Sequence, residues 1–231
     1  MRKAWVYSCR WTVARVCAGM VALACLALAG CSRPLTPNEQ RFAADVLGPG
    51  LNTDVVRVSQ GLGLAVPPET PAEAPNAHVV GSEIHPGFCD RTAPQAPSGP
   101  PPAWALYDRI SLTAPIYQPD TATQWPHAAQ FPQALIMAHE LVHVWQWQNR
   151  ARTRYRPMRA ALESVFNLDP YFYVPDRASG LLSYGYEQQA ALLEDYLCYA
   201  LYDPTNPRRD MLRPILSPHF PLDRLDQAVA P

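Results

Sequence analysis

Apolar positions along the chain fall into blocks of different period, and the two strongest blocks are helical. After Pro132, the residues Ala134, Leu135, Met137, Ala138, Leu141, Val142 and Trp145 are too closely spaced for one narrow stripe, which predicts a helix buried on most sides. Arg150, Arg152 and Arg154 lie beyond its C-terminal end, where cations complement the helix dipole. A second long helix is predicted over residues 184–202, opened by the loop around Gly180 and closed by Asp203-Pro204. Near the start, Thr36-Pro37-Asn38-Glu39 combines an N-capping threonine, a proline at the first helical position and a glutamate at the third. That is a capping box, and its helix should run to about Leu47, where Gly48-Pro49-Gly50 stops it.

Strand signals are shorter. Asp54-Val55-Val56-Arg57-Val58 has a β-branched, alternating look, and residues 104–112 with Ile116-Tyr117 read as one or two more strands. Residues 67–102 are dense in proline, so most of that insertion must be loop, with a possible strand over 77–84. The tail, residues 206–231, is predicted to pack loosely. Together these elements predict an α+β fold, a short sheet packed on the first long helix with the second on its other side. With 231 residues, one domain over about 35–205 is expected.

Residues 1–30 stand apart. Arg2, Lys3, Arg10 and Arg15 form a basic start, and residues 16–30 then carry no charge. This apolar run of fifteen residues falls short of the roughly 20 a spanning helix needs, which predicts a secretory signal. It closes on Leu28-Ala29-Gly30-Cys31, which resembles the bacterial lipobox. The resemblance implies cleavage before Cys31, lipid on that cysteine, residues 31–34 as a tether, and a membrane anchor at the bacterial cell envelope. Ser32 differs from an aspartate retention signal, which points to the outer membrane.

Removing residues 1–30 takes away four cations and shifts the net charge from −1 to −5, a poor balance for nucleic-acid binding. Two cysteines, Cys89 and Cys198, then remain in an oxidising compartment. They are expected to form one disulfide, the alternative being a pair of buried thiols.

The candidate chemistry sits inside the first long helix. His139-Glu140-Leu141-Val142-His143 puts two imidazoles at i and i+4 on one face, where they can converge on one Zn²⁺. Burying two histidines and a glutamate in so apolar a helix is costly unless a metal satisfies them. Glu140, beside the first ligand, suits the general base of a metal-assisted peptide hydrolysis. Two residues compete as third ligand. Glu163 stands at the interval after His143 that thermolysin-like enzymes use, whereas Glu187 opens Tyr186-Glu187-Gln188-Gln189-Ala190-Ala191, whose alanines allow close helix packing that favours Glu187.

The segment from His139 to Gln146, followed by Tyr186-Glu187-Gln188-Gln189-Ala190, resembles the zincin-like proteins called Vgr-related proteins, which in turn look like the core domain associated with extracellular contractile injection systems. The likeness extends weakly to Leu35-Thr36-Pro37 and Val55-Val56-Arg57-Val58. It implies a zincin-like fold, Glu187 as third ligand and a place beside an envelope or secretion-system partner. The lipobox and the proline-rich insertion depart from that pattern. Related metallopeptidases often place an acid four positions after the ligand glutamate; here that position is Ala191, and Glu194 is the candidate to hold a histidine instead, against a reading as a solvated surface acid. Tyr184 and Tyr186 are candidates to stabilise an oxyanion, or packing aromatics. His78, His85, His127 and His219 lack ligand-like spacing and are expected on loops or the surface.

The expected function is zinc-dependent peptide hydrolysis at the cell envelope. The rival is a non-catalytic zincin-fold scaffold lipoprotein of an envelope or secretion assembly.

Overall fold

The computed structural model describes residues 31–70, 76–79, 87–96 and 99–230. The expected signal segment lies outside them, as do His85 and the end of the strand expected over 77–84. Cys31, the expected lipidation site, is the first described residue.

The capping box forms as the sequence predicts. Helix α1 spans Pro37–Val46; Thr36 Oγ1 accepts from the Glu39 amide, and Glu39 Oε2 accepts from the Thr36 amide. Glu39 does more than cap. It is fully buried, takes a bidentate pair from Arg33 (2.7 and 2.9 Å), and accepts from the amide and hydroxyl of Thr121. One carboxylate thus joins the first strand, α1 and a distant loop, and burial is tolerated because each oxygen has donors.

Strand β1 is Arg33–Pro34, β2 is Arg57–Gln60, β4 is Ala103–Leu106 and β5 is Arg109–Leu112. They form one sheet in the order β1-β2-β5-β4, with β2 parallel to β5 and β4–β5 an antiparallel hairpin. The strand expected from Asp54 begins three residues later, because Thr53–Val55 forms a 3-10 turn that Asn52 caps. Residues 104–112 divide at a tight turn, where Tyr107 takes a left-handed φ of 57°. Ile116-Tyr117 is a turn, not a strand. Strand β3 (Asn76–Val79) lies within the proline-rich insertion and pairs antiparallel with β6 (Ala128–Phe131).

Helix α2 (Gln133–Gln148) is buried all round, and α5 (Tyr186–Tyr202) packs against it along an interface where Ala138, Ala190 and Ala191 have no exposure. Small side chains let the two axes approach. A short helix α3 (Arg150–Thr153) and helix α4 (Pro157–Phe166) connect them. The expectation of a loose tail is corrected. Pro207–Leu216 forms α6 and Leu222–Ala228 forms α7, and Leu212, Ile215, Leu216, Phe220, Leu222 and Leu225 are at most 3% exposed within the core. The architecture is a mixed α+β arrangement, whose described core lies between Leu35 and Val229.

Candidate metal centre

His139 and His143 occupy successive turns of α2, and Glu187 occupies the first turn of α5 facing them. Their donor atoms converge. The two Nε2 atoms are 3.3 Å apart, and Glu187 Oε2 is 3.2 Å from one and 3.1 Å from the other. An ion with bonds of 2.0 to 2.1 Å in tetrahedral geometry separates its ligands by roughly 3.3 Å. The cluster therefore could hold a metal ion with little movement.

Neighbouring side chains aim these atoms. Gln146 is fully buried and donates through Nε2 to the Tyr186 carbonyl, so its Oε1 must be the atom facing His143, and His143 donates to it from Nδ1 at 2.9 Å. That bond fixes the tautomer and leaves the Nε2 lone pair for a ligand. His139 donates in the same way from Nδ1 to Glu194 Oε2 at 2.9 Å. Glu194 is one of the carboxylates the sequence singled out, placed here by lying seven residues after Glu187 on the same helix face. Glu187 Oε1, on the side away from the histidines, accepts from Ser164 at 3.0 Å.

The charges interlock. Burial disfavours the imidazolium of His139, but bonds to Glu187 and Glu194 outweigh it and lift its pKa to about 10. For Glu187, burial opposes ionisation, yet His143 and His139 hold it well below the usual carboxylate range. Glu140 is the exception. Buried, with Oε2 lacking a hydrogen-bond partner among the described residues, its carboxyl is pushed up by desolvation.

Glu163, the rival ligand, is elsewhere: its Oε2 accepts from the Tyr186 amide at 2.8 Å and caps the start of α5. The hydroxyls of Tyr184 and Tyr186, the candidate oxyanion donors, are engaged elsewhere. Tyr184 Oη accepts from the Asp176 amide, and Tyr186 donates to the Arg154 carbonyl at 2.6 Å. Tyr155 and Tyr171 lie nearer the cluster. Their rings lie 6.2 Å from His143 and 5.5 Å from His139, and burial together with Glu187 and Glu140 raises both phenol pKa values, so both stay protonated. His127 is exposed and His219 is half-buried against Trp145; neither approaches the cluster, and His78 lies on strand β3.

A cleft of about 760 Å³ opens on His139, Glu140 and His143, flanked by Tyr155, Tyr171 and the whole of β4. Because β4 is the edge of its sheet, its outer backbone faces this cleft. Beside it a disulfide joins Cys89 to Cys198. That pairing is the expected one. It ties residues 87–96 to α5, aided by Tyr199 donating to Asp90 and Arg91 pairing with Asp195 at 3.1 Å. Arg91 also reaches Glu194 at 3.9 Å. Arg91, Ser164, Tyr155 and Tyr171 were not singled out from the sequence, since none stands at a fixed interval from the motif; Gln146 could have been, as a polar residue one turn after His143 in an apolar helix.

Searches of family models, of curated proteins and of solved structures return no match to this chain. By its structure the chain is an α+β protein with a buried two-histidine, one-glutamate cluster that could hold a metal.

Proposed function

We propose that the chain is a zinc-dependent peptide hydrolase of zincin type, anchored at the bacterial cell envelope through lipid on Cys31. The observation that carries this reading is Glu140: a buried carboxylate with an oxygen unpartnered among the described residues, beside three convergent donors and facing an open cleft. A purely structural metal site is normally closed by a fourth protein ligand and has no use for a base. Two imidazoles and one carboxylate suit zinc, which when bound would polarise a scissile carbonyl and acidify water.

The chain's own residues supply the rest. Glu140 takes a proton from the attacking water at Oε2 and returns it to the departing amine, a role favoured by a carboxyl whose pKa burial raises. The hydroxyls of Tyr155 and Tyr171 donate to the developing oxyanion. Substrate lies extended along β4 and borrows its unpaired backbone groups, which recognises polypeptide without fixing its sequence. The likeness to Vgr-related proteins and the lipobox suggest an envelope or secretion-system partner at the outer membrane.

Zinc content and cleavage of a peptide library, measured on wild type and on Glu140→Gln, test the proposal. The variant is expected to keep zinc and fold while losing turnover by at least about a hundredfold. Wild-type turnover in the variant, or none in the zinc-loaded wild type, would leave the scaffold reading.

A further inference from the structure

Helix α4 is built inside out. Its inward face carries Ala160, Glu163 and Ser164, whereas Met158, Leu162 and Phe166 occupy consecutive turns of its outward face at 73, 48 and 79% exposure, followed by Leu168 at 71%. An exposed apolar stripe of this kind marks a contact surface. The same segment is strongly basic. Arg150, Arg152, Arg154, Arg156 and Arg159 are all exposed and hold five of the chain's nineteen cations within ten residues, with no acid between Leu141 and Leu162. Arg154 and Arg156 make no ion pair among the described residues.

The surface continues across the cleft. Pro157, Ala160 and Ala161 of α4 line one lip and β4 the other, where Leu106 and Tyr107 are about half exposed. The Tyr107 ring lies 4.6 Å from Trp147, over which the Arg150 guanidinium sits at 4.3 Å. Apolar side chains and aromatics therefore flank one opening, and the arginine-rich stretch leads into α4 beside it.

The geometry points to an anionic phospholipid bilayer as the occupant of this face, with the α4 stripe entering the headgroup boundary and the arginines pairing with lipid phosphates. Charge complementarity selects the bilayer. A second copy related by twofold symmetry would set this basic stretch against itself, whereas an anionic leaflet attracts it and accepts the apolar stripe beside it. The inference goes beyond hydrolysis and does not depend on it; it places the cleft mouth at the lipid surface, where an extended polypeptide emerging from or lying along the membrane would enter. It also differs from the lipid on Cys31, which tethers the chain without orienting it.

Residues 32–231 contain the whole described core and neither the apolar leader nor Cys31, so their vesicle binding reports the domain alone. Co-sedimentation with phosphatidylcholine vesicles and with equimolar phosphatidylcholine–phosphatidylglycerol vesicles is expected to show binding to the second only, reversed by salt. Combined Met158→Ser, Leu162→Ser and Phe166→Ser should abolish it, and Arg154→Gln with Arg156→Gln should each weaken it about fivefold. Thermal melting checks that the variants fold. Phe166→Trp gives an independent readout, a blue shift of emission on adding anionic vesicles. Absence of binding to anionic vesicles, equal binding to both compositions, binding untouched by the serine variants, or a solution dimer that those variants dissolve would overturn the inference.

Discussion

Replacing Glu194 with alanine removes the acceptor that holds His139 and leaves the three metal-facing atoms in place. Its Oε2 lies 2.9 Å from His139 Nδ1, whereas its link to Arg91 is long at 3.9 Å, and Arg91 keeps Asp195 at 3.1 Å. The loop over 87–96 should therefore stay where it is, held also by the disulfide. The loss falls on the imidazole, which becomes free to rotate and less basic. Removing such an acceptor behind a metal-bound histidine costs about 10- to 100-fold in metal affinity, or about 1.4 to 2.7 kcal/mol. Glu194→Gln, which keeps an acceptor oxygen but no charge, should fall between wild type and alanine. Competition for zinc against a chromophoric chelator measures the three constants. Equal affinity in all three would refute the reasoning, because it would mean that the ring is positioned by its packing in α2 alone.

Glu187→Ala should lose most of the zinc after dialysis, whereas Glu163→Ala should keep it and lose only about 1 kcal/mol of stability with its helix-capping bond; the reverse pattern in metal analysis would move the third ligand to Glu163. In the metal-free protein, partners raise the His139 pKa from 6.5 to about 10, so its stabilising contribution is complete below pH 6.5 and disappears as pH rises through 10. Zinc must displace that proton, so apparent affinity should climb by about tenfold per pH unit between about pH 7 and pH 9, and a flat titration there would contradict it. Leu216→Ala should lower unfolding free energy by about 2 to 5 kcal/mol in a urea titration, since the side chain is fully buried; a change below about 0.5 kcal/mol is what a loose tail would give.

The parts of this molecule that could be read in advance are those whose signal is local and periodic. The long helices declared themselves through dense apolar spacing, His139 and His143 followed from an interval of four residues, Glu187 from the alanines beside it and the likeness to Vgr-related proteins, and Glu194 from lying further along the same helix face. Helix α4 escaped because its large apolar residues face outward and its small ones inward, the opposite of what amphipathic reading assumes. The C-terminal helices were hidden by Arg208, Arg209 and Asp210, although Asn206 caps α6 and Pro207 begins it. Strand β6 offered only two alanines, a glutamine and a phenylalanine, too short and too small to show a period. Tyr155, Tyr171 and Arg91 reach the site from irregular connections, where sequence separation says nothing about distance in space.

Helix α5 also acts as a ruler. Glu187 reaches the cluster, Glu194 holds His139, and Cys198 closes the disulfide, at offsets of seven and eleven residues. At 3.6 residues per turn these are about two and three whole turns, spread over roughly 16 Å of one helical edge. An insertion or deletion of one residue between Glu187 and Cys198 rotates everything beyond it by about 100°, so that carboxylate, acceptor and sulfur could no longer face the same side. Individual letters along that edge can vary at graded cost, but its length cannot. Descendants of this chain are free to grow in the proline-rich insertion, while these twelve positions must be inherited as a block.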